Sequence, residues 1–302
     1  PIKSSAASDV YKRQALGFMG NMVQSNSIGA AFSEVFSARN IEIPSIVFGL
    51  ILAAVIGFIF LGGVNRLASV VEKIVPIMAG IYIVGSLVLI LMNITALPGA
   101  IKMIFVGAFN PEAVVGAGAG IAVREAIRFG VARGLFSNEA GMGSTPHAHA
   151  RAKVENPHKQ GLAAMISVFI DTFIILNLTV FSILTTGVLD SGKEGTALTQ
   201  AAFTKGFGNF GDIFVAVCLL FFAFSTILGW HFFGEVNVKY LFGEKAAKFY
   251  SILVIGFVIV GSTLKVQLVW SLSDFFNGLM VIPNAIALWA LSGVVVKICK
   301  QY

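Results

Sequence analysis

The sequence predicts an all-α polytopic membrane protein, and three observations carry that reading. Of its 302 residues 57% are hydrophobic and 12% charged, and the mean hydropathy is +0.87. Soluble domains carry about 25% charged residues. Apolar runs also reach the roughly 20 residues that a helix needs to cross a hydrocarbon core of about 30 Å. Those runs are far longer than the roughly ten-residue alternating segments of a membrane barrel, which argues against strands. A soluble enzyme this apolar would expose large sticky patches, and a disordered chain needs the opposite composition. The formal charge of +6 is small and dispersed, so it reads as loop topology and not as a nucleic-acid surface. Cys218 and Cys299 lie in or at the end of apolar stretches and support neither a disulfide nor a metal site.

In chain order, residues 1–14 (PIKSSAASDVYKRQ) come first, starting at Pro and not Met. They are polar, lack the apolar core of a signal peptide, and read as a non-native leader on a truncated chain. Candidate spans follow at 15–37, 45–64, 74–96, 162–188, 212–234, 249–264 and 266–297, with a Gly-rich region at 113–150 that is not a clean span. The last stretch is long enough for one kinked span or two short ones, with Pro283 marking the kink. Alternate connections carry 13 and 5 Lys or Arg, and 10 and 5 without the leader. The more basic side is expected to be cytoplasmic. The chain then makes eight passes and ends in the cytoplasm.

The informative stretch is GLFSNEAGMGSTPHAHA at 134–150. Its glycines and proline oppose a helix by about 1 and about 3 kcal/mol each relative to Ala. Irregular backbone at membrane depth is tolerated only where protein buries it or it lines an aqueous cavity. Secondary transporters use such breaks, whose half-helix ends and free carbonyls meet substrate and ions. A loop at the membrane surface is the plainer alternative.

This segment closely resembles the signature of the alanine or glycine:cation symporter family, the sodium:alanine symporters. Further matches are Gly20-Asn-Met-Val-Gln24, Gly62-Gly63 with Glu72 and Pro76, and Asp274, Asn277-Gly278 and Pro283-Asn284. The resemblance covers essentially the whole chain from about residue 15. It implies a leucine-transporter-like inverted-repeat fold with five helices per repeat. On that map 15–96 holds three helices of the first repeat, 97–302 holds all five of the second, and the break near 136–146 falls on the first of those five. The first two core helices of the family would then be absent, and the chain would hold only part of the binding apparatus.

The resemblance also implies what the residues would do. The partners would be alanine or glycine, a sodium ion or proton as coupling ion, and membrane lipid, with no other cofactor and no nucleic acid. Phe136, Ser137, Asn138, Gly141, Met142 and Gly143 would meet a small zwitterion, its carboxylate on amide N–H groups and its ammonium on oxygens. Phe136 would wall off larger side chains; the plainer reading is packing of a kinked helix. Glu139 would be a neutral gate residue or one paired with Arg133, with direct sodium ligation as the alternative. Asn21, Gln24 and Ser25 share one helix face, and Gln24 could reach substrate; interhelical hydrogen bonding is the alternative. Thr226 and Ser225, hard oxygen donors, would supply part of a sodium site, against simple back-bonding to their own helix. Trp230 lies four residues beyond Thr226 and could line the pocket. Asp171, Asp274 and Asn277 read equally as an ion path or as structural groups.

Other chemistry finds little footing. His147 and His149 are two apart, off a common helix face, and no Cys or carboxylate completes a zinc set with His158. GAGAG at 116–120 lacks the βαβ setting of a phosphate loop, and no nucleophile–base pair suggests an enzyme. The expectation is therefore sodium-coupled symport of alanine or glycine by alternating access at the cytoplasmic membrane. An uncoupled channel or facilitator and a transporter-like amino-acid sensor are the rivals.

Overall fold

The computed structural model describes residues 13–60, 63–109, 119–150 and 152–299. Most of the polar leader, Gly62 and the first three residues of GAGAG lie outside them. All regular elements among the described residues are helical. A π-helical turn, Arg13–Gly20, leads into α1 (Asn21–Ser37), followed by α2 (Ser45–Phe60), α3 (Gly63–Met92) and α4 (Leu97–Phe109). Next come α5 (Ala119–Ser137) and the one-turn α6 (Pro146–His149). Helix α7 (Pro157–Phe169) continues through π-helical Ile170–Leu176 into α8 (Asn177–Thr186). The chain ends with α9 (Gly195–Phe207), α10 (Gly211–Thr263) and α11 (Val266–Cys299).

Among the described residues, four stretches are long and apolar enough to cross a bilayer: Ser69–Met92, Pro157–Thr186, Gly195–Thr263 and Val266–Lys297. Large apolar side chains stand outward along the helices, Phe58 67% and Trp289 83% exposed, as lipid allows and water does not. The expected span list omits α4 and α9. At 13 residues each, they are shorter than the length used to recognise a span.

Within α10 the residue Gly243 has φ 82° and ψ −179°, so the backbone breaks there and the helix is two arms. Pro283 leaves α11 as one helix from Val266 to Cys299, which decides between the one-span and two-span readings. A proline removes one hydrogen bond, whereas a residue at that φ cannot belong to a right-handed helix at all.

Contacts group the chain into two units. The first comprises Pro1–Ala79, Gly141–Ile166 and Ala216–Tyr302. Here α1 packs on α2 and α11, with Met22, Val23 and Val269 at a core that Met19, Phe257, Leu264 and Trp270 surround. Asn26 Nδ2 donates to the carbonyls of Gly261 (2.9 Å) and Leu264 (2.7 Å), closing the C-terminal end of α10. Gly261 lets the two backbones meet: a Cβ there would lie 2.6 Å from Met22 Cα. Small residues at such crossings are the usual device of membrane helix packing.

The second unit comprises Gly80–Ala140 and Ser167–Val215. Phe203 stacks on Phe214 at 5.2 Å between ring centroids, and the Tyr82 hydroxyl pairs with Thr179 Oγ1 at 2.6 Å. Gln200, fully buried on α9, donates to the Asp212 carbonyl at 3.3 Å.

Candidate functional site

Helix α5 stops inside the signature. The N–H of Ala140 bonds the Leu135 carbonyl (3.1 Å) and the N–H of Glu139 bonds that of Phe136 (3.3 Å). This pair of bonds is a Schellman stop, whose turning residue must take the left-handed conformation. That residue is Glu139, at φ 49°. A side chain with a Cβ at that φ costs roughly 1–2 kcal/mol, which is why glycine or asparagine is usual there.

The side chains at this helix end are engaged. Ser137 Oγ donates to Asp171 Oδ2, and Thr172 Oγ1 donates to Asn138 Oδ1 at 3.0 Å. Asp171 and Thr172 sit in the π-helical stretch between α7 and α8, a rare geometry concentrated at functional positions. The sequence reading missed Thr172; its signal was a polar pair within an apolar span. Phe136 is half-buried.

Past Ala140 the chain enters the first unit and stays non-helical until Pro146. Gly141 and Gly143 both have φ 72°, while Met142 between them does not take positive φ. Left-handed residues next to residues of ordinary φ are the backbone from which anion-binding concavities of N–H groups are built. Met142 is 1% exposed and Gly143 is also buried, so Gly141 is the exposed residue of the three. Asn284, on α11 next to Pro283, donates through Nδ2 to the Gly141 carbonyl at 2.8 Å. Its Oδ1 lies where a Cβ on Gly143 would be, 2.3 Å away. Asn284 therefore clamps the turn, a role that sequence matching marked as a position without saying what it does.

In the same unit, Ser225 and Thr226 are half-buried on the first arm of α10. Both hydroxyls donate to the Phe222 carbonyl, at 2.9 Å each. With their protons committed to that one carbonyl, their oxygen lone pairs are left as acceptors, as a hard cation requires. Back-bonding and cation ligation are thus compatible uses of the same pair. Trp230, one turn on, is buried, and Gln24 is half-buried on α1 beside the fully buried Asn21. Asn277 Nδ2 reaches Ser273 Oγ at 3.4 Å within its own helix. His147 Nε2 meets Asn237 Nδ2 at 3.5 Å, and His149 Nδ1 meets Gln160 Nε2 at 2.6 Å, so the two imidazoles have separate amide partners.

Long apolar helices define a multi-pass membrane protein, and the chain between α5 and α6 carries a clamped glycine turn, a kind of irregular backbone that solute carriers use. Residues 7–302 match the profile of the Sodium:alanine symporter family, and the chain belongs to that family. It is 41% identical to the amino-acid carrier protein AlsT of Bacillus subtilis, covering 95% of this chain and 60% of the relative. It is 38% identical to the sodium/alanine symporter AgcS of Methanococcus maripaludis, covering 94% of this chain and 61% of that protein. It is 34% identical to a sodium/proton-dependent alanine carrier protein of Bacillus sp. PS3, covering 93% and 65%. The chain thus spans less than two thirds of the length of these relatives.

Proposed function

We propose that the protein carries out cation-coupled symport of a small neutral amino acid, alanine or glycine, across the cytoplasmic membrane by alternating access, with its C-terminus in the cytoplasm. The observation that carries this reading is the turn Gly141–Met142–Gly143, opened by two positive-φ glycines and held by Asn284. Its N–H groups receive the substrate carboxylate. At Gly141, where a Cβ would meet nothing within 4 Å, a compact ligand can approach the backbone. Gln24 and Trp230, from the same unit, complete the pocket. Phe136, Ser137 and Asn138 form the helix end that delivers the turn, and their hydrogen bonds break and re-form as it opens.

Sodium binds at the lone pairs of Thr226 and Ser225, with further oxygens completing its shell. Coupling follows if the ion favours the state that binds substrate, because a ligand shifts a conformational equilibrium only through differential affinity. The names of the relatives, a sodium/alanine symporter among them, support the pairing of alanine with a cation.

Counterflow of radiolabelled alanine into proteoliposomes, with the protein expressed from its full reading frame, tests this. Saturable uptake that collapses when sodium is replaced supports it. Uptake independent of both sodium and protons would refute it. Binding without flux identifies a sensor, and currents without saturable uptake identify a facilitator.

A further inference from the structure

One buried ionisable group in the first unit has no part in the mechanism above. His231, on the first arm of α10, is 1% exposed. Its ring lies flat against Phe60 of α2, with centroids 3.5 Å apart and planes at 12°, and faces Tyr250 on its other side at 5.7 Å. Its Nε2 meets Ser251 Oγ at 2.8 Å, on the second arm of α10 beyond Gly243.

One tautomer satisfies both contacts of the Ser251 hydroxyl at once. Ser251 has one hydroxyl proton and donates it to the Ala247 carbonyl at 3.1 Å. Its oxygen therefore accepts from His231, and Nε2 carries the hydrogen. That leaves a lone pair on Nδ1, which has no hydrogen-bond partner among the described residues. Nδ1 faces Glu235 Oε2 at 3.7 Å, one turn along the same helix. Two acceptors face each other, one on a ring sealed from solvent and one on a carboxylate 22% exposed.

We propose that His231 and Glu235 form a proton-binding site, holding one exchangeable proton between Nδ1 and Oε2. The proton arrives at the half-buried carboxylate, and its uptake takes the pair from a single negative charge to neutrality. That removes a partly desolvated charge and puts a donor between two facing acceptors. Among the described residues, Glu235 is the one charged group paired with the ring. Helix α2 carries no ionisable residue. The second arm of α10 offers Tyr250, the exposed Lys245 and Lys248, and Glu244, which is paired with Lys239. The His231–Ser251 bond ties the two arms across the Gly243 break, so proton occupancy is linked to how the arms pack. The assignment rests on the transport reading only in its consequence, that this proton sets the pH dependence of uptake.

The test is nitrogen NMR of the full-length protein with ¹⁵N-histidine in lipid nanodiscs. Trp230–His231 is a unique dipeptide in the chain, so carbonyl-labelled Trp assigns the signal without any substitution. The expected result is an Nε2–H tautomer whose Nδ1 shift moves as the pH is lowered from about 8 to about 3. In E235Q the amide becomes a permanent donor to Nδ1, and the pH response is lost. A flat Nδ1 shift across that window, or an unchanged titration in E235Q, overturns the proposal. Because this readout involves no transport, a flat shift with sodium-dependent alanine uptake refutes the proton site alone. A titrating pair without saturable uptake refutes the transport reading alone.

Discussion

Two helices of this protein end in the same hydrogen-bond pattern for different purposes. At the end of α1 the N–H of Ile41 bonds the Phe36 carbonyl and that of Asn40 bonds Ser37, with Asn40 in the left-handed position at φ 60°. At the end of α5 the same two bonds close around Glu139. Asparagine is a habitual occupant of that position and leads into a plain loop before α2. Glutamate is not, and the chain beyond it takes positive φ at Gly141 and again at Gly143. The first is a stop; the second is a turn held against its local preference by contacts from elsewhere, Asn284 on Gly141 and Gly143 in particular. Strain kept in place by surrounding structure tends to mark functional segments.

The most severe way to break the second turn is Gly143→Ala. The new Cβ would meet Asn284 Oδ1 at 2.3 Å while its own φ is 72°. Alanine uptake in proteoliposomes should fall by about 100-fold, as expected for an ångström-scale misplacement of a binding group. Uptake within about twofold of the parent protein would show that the turn does not meet the substrate.

Asn284→Asp keeps the shape but puts an oxygen where Nδ2 donates to Gly141. The KM for alanine should rise by about tenfold to 30-fold, on the order of 1.4–2 kcal/mol. An unchanged KM with lowered protein yield would make Asn284 a folding residue only.

Thr226→Val removes a hydroxyl and keeps the side-chain shape. The sodium concentration for half-maximal uptake should rise by about tenfold, near 1.4 kcal/mol, with little change in the alanine KM at saturating sodium. An equal effect on both constants would place Thr226 with the substrate and not with the ion.

The smallest effect belongs to the plain stop. Asn40→Glu recreates there the residue found at position 139 and should lower stability in a chemical or thermal unfolding assay by about 1 kcal/mol. No change in uptake is expected. A neutral result would mean that Glu139 is not strained by its backbone, and the contrast between the two ends would reduce to the glycines that follow.

Much of this was legible in the residues. The apolar runs located the long helices, and the run of Gly and Pro between 134 and 150 located the break, because both follow from local propensity. The gap between the expected spans 212–234 and 249–264 also located the break at Gly243 within α10. Legibility failed where a neighbour decides. Pro283 left one kinked span or two short ones open, and α11 runs through it as one helix. His231 gave no sign in sequence, since a lone histidine in an apolar stretch acquires meaning only from Ser251 and Phe60, residues distant along the chain.

The sequence by itself therefore determined the solvent the protein lives in, the position of its longer helices, the place where one of them must stop, and the family. Those properties are sums over neighbouring residues, and the chain carries them wherever it folds. Only the tertiary structure decided that Asn284 holds the signature turn, that Ser225 and Thr226 share one carbonyl as their acceptor, and that the buried His231 ring lies 3.7 Å from the Glu235 carboxylate. The direction of a hydrogen bond depends on which donors and acceptors folding brings within about 3 Å, and with the Asn284 clamp that pairing joins positions 143 residues apart.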